Sequence, residues 1–177
     1  RVLAGTVGAR QAGFAFANLA DILVAATFDK VREEFEAHHG RIAKGQAAVV
    51  AMGKLGGHEM TAASDLDLVL LYDFSDKASA SNGDRPLPGG QYYARLTQRL
   101  VAALSAPTAE GALYEVDFRL RPSGRSGPLA THIDAFAAYQ AKDAWTWEHM
   151  AVTRARPLAG DKALIARANK EIAAVIT

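Results

Sequence analysis

With 177 residues the chain fits one domain, or one domain with a helical appendage, and is large enough to bury about two thirds of its unfolded surface. Half of its residues are hydrophobic and 22% are charged, with no run of ~18 apolar residues, which excludes disorder as the main state and predicts a soluble globular chain without a membrane span. Twenty Lys and Arg against 19 Asp and Glu leave a formal net charge of +1, so no bulk field points to nucleic acid or an anionic membrane; zero cysteines exclude disulfides, thiolate zinc and a cysteine nucleophile. The N-terminus shows no basic segment followed by an apolar run and a cleavage site, so a reducing cytoplasm is the expected compartment.

From Val7 to His39 the apolar residues recur at helical spacing on two stripes: Phe16, Leu19, Leu23 and Ala26, then Val24, Phe28, Val31 and Phe35. Gly40 supplies a C-terminal stop. Residues 47–52 (AAVVAM) form a wholly apolar run between Gly45 and Gly53, the pattern of a strand buried on both faces. After a turn-rich link, residues 65–73 (DLDLVLLYD) open by alternating carboxylate and leucine and close as an apolar run, which predicts a second strand whose start lies at an open edge of the core.

Residues 74–90 (FSDKASASNGDRPLPGG) are rich in Ser, Asp, Gly and Pro and predict a mobile loop. Helical spacing resumes over residues 91–106 through Tyr93, Leu96, Leu100 and Leu104. Residues 113–121 (LYEVDFRLR) alternate cleanly, placing Glu115, Asp117, Arg119 and Arg121 on one face of a third strand. A turn over residues 122–128 leads to a helix capped by Thr131, a Trp-bearing segment over residues 144–156, a break at residues 157–160, and a last helix with Leu164, Ala168, Ile172 and Val175 inward. The order helix, strand, strand, helix, strand, helices predicts a small α/β (α+β) sheet covered by helices. Its expected division is a core over residues 1–131 and a C-terminal helical segment over residues 132–177.

Asp65 and Asp67 lie two positions apart on a predicted strand, so both carboxylates leave one face. If the strand carrying Asp117 is a neighbour, three carboxylates converge, and each pair ~6 Å apart repels by roughly 3 kcal/mol at an effective dielectric of 20. A cation relieves this. Hard oxygen ligands point to Mg²⁺ or Mn²⁺ acting on a phosphate substrate; the structural alternative is that Asp65 caps a turn and Asp67 is exposed at a strand start. Upstream, Gly53-Lys54-Leu55-Gly56-Gly57 follows the first strand directly, where glycines let backbone N–H groups approach phosphate or simply make a tight turn. It is neither G-x-x-x-x-G-K-[ST] nor G-x-G-x-x-G. Lys54 either reaches a phosphate or is a surface lysine, and Arg119 and Arg121 either hold phosphates or neutralise the acids. Glu115 suits a salt bridge to an arginine. Trp145 and Trp147, as helical aromatics, are expected in the core, with stacking on adenine or a target loop as the other reading.

Gly56-Gly57, eight residues to Asp65-Leu66-Asp67, and a carboxylate on a later strand together resemble the signature of the polymerase-β nucleotidyltransferase superfamily. More narrowly, GKLGGHEMTAASDLDLVLLYD, YEVDFRLRPSGRSGPLAT and AYQAKDAWTWEHMAVTRAR are similar to glutamine synthetase adenylyltransferases, over residues 47–160. These are bifunctional enzymes with two homologous nucleotidyltransferase domains and a regulatory region, so the resemblance implies a fragment of a longer chain or an isolated domain. The stretches YEVDFRLRPSG and AWTWEH look more like the C-terminal, adenylylating copy.

The resemblance implies ATP as substrate, a tyrosine of glutamine synthetase as acceptor, pyrophosphate as product, and PII signalling protein and glutamine as regulators of the full-length enzyme. By position, Asp65 and Asp67 match its metal-binding pair, and Asp117 matches the third carboxylate, acting as base or ligand. Gly56 and Gly57 match the triphosphate turn. Gly57 stands where many superfamily members have serine, so the resemblance leaves phosphate contact there to the backbone. The homologous phosphorolytic domain, which removes AMP, and a catalytically silent nucleotide-sensing module are the alternatives.

Overall fold

A computed structural model describes residues 5–75, 80–109 and 111–176. The first helix, α1 (Ala9–His39), ends at Gly40, whose φ of 68° is a left-handed conformation that glycine accepts without strain. Of its two apolar stripes the second faces inward: Val24, Phe28 and Phe35 are buried, with Val31 packed against them. In the N-terminal half the buried positions are small, Ala12, Gly13, Ala17 and Ala20, while Leu19 and Ala26 are exposed. Close approach explains the choice, since a Cβ on Gly13 would stand 3.1 Å from the carbonyl oxygen of His58. By length and apolarity α1 also suits a membrane span, yet a third of that stretch is buried. Asp21 and Arg32 on it pair with Arg156 and Asp161, which makes it a packed helix of the domain.

Strands β1 (Gln46–Ala51) and β2 (Leu66–Asp73) pair antiparallel, as their apolar runs predict. Between them Gly53–Gly56 forms a single helical turn, α2. Ala47, Val49, Ala51, Leu66, Leu68 and Leu70 face one core, shared with α1 and α3 (Gly89–Leu104). Ala48, Val50, Val69 and Leu71 face a second core. Burial on both sides is what the continuous apolar runs encode.

The strand expected over residues 113–121 is confined to β3 (Val116–Asp117), parallel to the start of β2. Farther along the same edge of β2 lies an unexpected strand, β4 (Ala130–His132), also parallel to it. The chain thus leaves the sheet edge after Asp117 and returns at Ala130, with a 3₁₀ turn at Gly124–Ser126 on the way. Helix α4 (Ile133–Lys142) starts one residue later than expected, with the His132 ring, not Thr131, capping the Asp134 N–H.

After α5 (Thr146–Val152) comes β5 (Arg156–Gly160), which pairs antiparallel with β1 and is followed by α6 (Lys162–Ile176). The strand order is β3-β2-β1-β5, with β4 also on β2, giving a mixed five-stranded sheet between two helical layers. The segment expected as helical over residues 132–177 therefore contains a strand. Its Arg-Pro-Leu-Ala-Gly sequence reads as a helix break, and Pro157 is tolerated because β5 is an edge strand with an irregularity opposite Val49 and Val50. Ile133, Phe136, Val152, Leu164, Ala168 and Ile172 fill the second core.

Residues 74–90, expected as a mobile loop, are held down where they are described; residues 76–79 lie outside the described residues. The N–H groups of Asn82, Gly83 and Arg85 donate to the carbonyls of Arg41, His39 and His38, and Ser81 and Leu87 bond to each other. Backbone pairing anchors this stretch together with burial of Leu87 in the first core and packing of Phe74 against it, and Gly83 permits the pairing because a Cβ there would meet the His39 and Gly40 backbone at 2.2 Å.

Asp161 joins three elements, accepting from Arg32 Nη1 at 2.9 Å and from the Ala47 N–H at 2.8 Å just before α6. Asp161→Ala removes charge-assisted bonds from a partly buried junction. It is expected to cost about 1.5–3 kcal/mol, and so to lower the melting temperature by about 2–4 °C per kcal/mol in a chain of this size. A melt within about 1 °C of wild type, below the smallest shift so expected, would contradict it.

Candidate active site

Asp65 and Asp67 share strand parity with Val69 and Leu71, so they point to the second-core side of the sheet from its open end. The parallel register sets Asp67 beside Asp117, and the Leu66 N–H donates to the Glu115 carbonyl at 2.8 Å. One carboxylate oxygen from each of Asp65, Asp67 and Asp117 lies within 4.8 Å of the others, all three residues being partly buried. The convergence anticipated from the two strands is therefore present. At that spacing each pair of charges repels by about 3.5 kcal/mol or more at an effective dielectric of 20.

The electrostatics of the three differ. Burial, followed by the charges of Asp65 and Asp117, pushes the Asp67 carboxyl above the usual carboxylate range, against the pull of Arg119 and Lys54. Asp117 moves the other way, because the Arg119 guanidinium donates to its Oδ2 at 2.5 Å and the Arg119 N–H to its Oδ1 at 2.7 Å. Three hard oxygen donors around a mutually repelling cluster fit a divalent cation such as Mg²⁺ or Mn²⁺. A groove of about 440 Å³, lined by Ala62, Ser64, Leu113, Tyr114 and Glu115, adjoins Asp65.

The glycine-rich turn acts differently from the sequence expectation. The Gly56 and Gly57 N–H groups donate to the Met52 and Gly53 carbonyls at 2.7 and 3.1 Å, so neither is directed to a ligand. Gly56 is buried, and a Cβ there would meet the Arg154 carbonyl oxygen at 1.9 Å, a close approach that only glycine allows. At Gly57 the nearest atoms to an added Cβ are 3.5 Å away, leaving room for a side chain. The decisive glycine is Gly53, with φ of 51° and an added Cβ only 2.2 Å from Asp67 Oδ2. Its place immediately after a buried strand was the available signal.

Lys54 is exposed, and its charge is felt at Asp67. Arg119 neutralises Asp117, as one of its two readings anticipates. Arg121 does not share the face of Asp117. β3 ends before it, and its guanidinium turns inward to backbone carbonyls, donating to Phe118 at 2.5 Å and Pro128 at 3.0 Å. Glu115 makes no ion pair among the described residues and contributes its carbonyl instead. Trp145 and Trp147 stand 72% and 57% exposed, not in the core, because α5 has barely two turns and buries Val152.

Comparison with known proteins places these features in a family. The family model for glutamate-ammonia ligase adenylyltransferase matches residues 1–171. The chain is 56% identical over 99% of its length to the bifunctional glutamine synthetase adenylyltransferase/adenylyl-removing enzyme of Brucella suis biovar 1 (strain 1330). It is 55% identical over its whole length to the enzyme of the same name from Rhizobium meliloti (strain 1021), and 57% over 94% to that from Bradyrhizobium sp. (strain ORS 278). It spans 17–18% of the length of these relatives. Matched from end to end in this way, the chain belongs to the glutamate-ammonia ligase adenylyltransferase family.

Proposed function

We propose that this chain is a nucleotidyltransferase unit that moves AMP from ATP to a tyrosine hydroxyl of glutamine synthetase and releases pyrophosphate. The observation that carries the reading is the register of β2 and β3, which gathers Asp65, Asp67 and Asp117 at the open end of the sheet. These three carboxylates would hold Mg²⁺ or Mn²⁺. When bound, such ions supply charge neutralisation and Lewis-acid polarisation at the phosphates.

The chain's own residues do the rest. Gly53 leaves the space in which the Asp67 carboxylate stands, and Gly56 packs the turn beneath it. Lys54 and Arg119 offer exposed cations to the triphosphate as charge moves onto the departing pyrophosphate. The bond formed joins the tyrosine oxygen to the α-phosphorus, and the bond broken is that to the β-phosphate. The phenol, with an ordinary pKa of about 10, gives its proton to the Asp117 carboxylate in this step. While Arg119 holds Asp117, that carboxylate is a weak base and a good ligand, so its part in the proton transfer requires Arg119 to turn toward the phosphates. Regulation by PII signalling protein and glutamine, and a cytoplasmic location, belong to the same reading of the longer protein.

The test uses the full-length protein that carries this chain. ATP labelled at the α-phosphate and unmodified glutamine synthetase should give labelled protein and pyrophosphate. The relatives' name also includes adenylyl removal, so AMP-modified glutamine synthetase with inorganic phosphate is the parallel assay, with ADP as product. Release of ADP abolished by Asp65→Asn, with labelling from ATP unaffected, would overturn the reading for the removing activity.

Binding should also register as stability. Mg²⁺ is expected to raise the melting temperature, and further with ATP, because both bind the folded acid cluster in preference to the unfolded chain. In the double variant Asp65→Asn/Asp67→Asn the shift should vanish, and an unchanged shift would count against a clustered site.

A further inference from the structure

We propose that Arg121 is the positioning residue that sets the third carboxylate of the site; this rests on the nucleotidyltransferase reading above and deepens it. Asp117 is held to β2 by only two register pairs, Leu66 with Val116 and Asp67 with Asp117. Beyond it the chain departs over residues 118–129, while β2 advances only through Leu68 and Val69 before pairing again with β4 at Leu70. Such an excursion must close on itself, or the short β3 would not keep its place.

Arg121 closes it. Its residue is 9% exposed, and the guanidinium makes no ion pair among the described residues. Instead Nη1 donates to the Phe118 carbonyl at 2.5 Å, at the start of the excursion. Nε donates to Pro128 at 3.0 Å and to Gly127 at 3.3 Å, at its end. Nη2 also reaches Gly127 at 3.3 Å and the Arg125 carbonyl at 3.5 Å. A buried cation satisfied by backbone carbonyls alone is unusual, since desolvation disfavours its charge. Its planar fork of five donors bridges separate acceptors, which the single ammonium of a lysine does not match.

The loop is also closed sterically, as an added Cβ on Gly127 would lie 2.1 Å from the Pro122 carbonyl oxygen. The span so fixed begins next to Asp117 and carries Arg119, which grips that carboxylate, and Arg125, whose charge Asp117 feels.

The experiment compares wild type, Arg121→Lys, Arg121→Met and Gly127→Ala in the full-length protein. Mn²⁺ binding is read by electron paramagnetic resonance, backbone opening by hydrogen exchange, and turnover with ATP and glutamine synthetase by kcat and KM. Faster exchange is expected over residues 115–128 and not in α1, β1 or α6. Mn²⁺ affinity should fall at least tenfold, with kcat lowered about 100-fold and the KM for ATP within about threefold. Lysine should not rescue Arg121, and Gly127→Ala should reproduce the effect from the opposite side of the loop. Mn²⁺ affinity within threefold of wild type in Gly127→Ala, and in whichever Arg121 variants fold, would overturn the proposal. So would accelerated exchange throughout the domain, since that marks a general packing role. If wild type neither binds Mn²⁺ nor transfers AMP while the variants still loosen residues 115–128 alone, the nucleotidyltransferase reading fails and the loop closure stands.

Discussion

Asp67→Asn is expected to abolish AMP transfer, by 1,000-fold or more on the order of what removing a transition-state charge contact costs, while the metal-free protein melts at or above the wild-type temperature. The two effects have one cause. One Asp67 carboxylate oxygen lies within 4.8 Å of one from Asp65 and one from Asp117, and burial together with both charges already disfavours its ionised form. The amide is close to isosteric, packs against the same neighbours and removes two repulsions of about 3.5 kcal/mol each before screening by Arg119 and solvent. What it loses is an anionic ligand. Asp65→Asn should behave alike in transfer, with a smaller gain in melting temperature because Asp65 lies at the entrance of β2. Transfer within tenfold of wild type, measured alongside a melt, would remove Asp67 from the site. A large drop in melting temperature would show that its carboxylate is structural.

Gly53→Ala should be nearly as damaging to transfer, by about 100-fold or more, the scale of an approximately 1 Å misplacement of a reacting group. The backbone at Gly53 is left-handed, which costs an L-residue about 1–2 kcal/mol. The added methyl would stand 2.2 Å from Asp67 Oδ2, so the carboxylate must shift from its place beside Asp65 and Asp117. Its neighbours in the turn give the controls. Gly56→Ala meets the Arg154 carbonyl oxygen at 1.9 Å and should fail chiefly in stability, because backbone must move. Gly57→Ser has no contact closer than 3.5 Å for its Cβ and should leave both transfer and melting close to wild type. Assays of the three variants in the full-length protein separate the roles. Equal behaviour of Gly53→Ala and Gly57→Ser would contradict the assignment of Gly53 as the space for Asp67.

Those glycines show how differently the chain's features could be read from residues alone. The wholly apolar run at residues 47–52 and the acid–leucine alternation opening at Asp65 specify strands and their faces by local period, and both strands form. The same period places Asp65 and Asp67 together, because two residues apart on a strand is one face in any fold. The inward residues of α3 and α6 follow from helical spacing in the same way.

Other features depend on partners distant in sequence. The alternation over residues 113–121 fits a long strand, but only Val116 and Asp117 find a partner on β2, and Arg121 meets carbonyls where a polar strand face was expected. The residues of β5 read as a helix break, and only the vacant edge of β1 makes them a strand. Likewise α1 carries two apolar stripes, and packing against α3 and the sheet selects the one that turns inward. Local hydrophobic period and side-chain chemistry thus determined which elements form and which acids share a face. Tertiary structure decided where strands stop and which glycine makes room for a carboxylate. Those outcomes depend on hydrogen-bond partners and steric contacts supplied by segments far away along the chain.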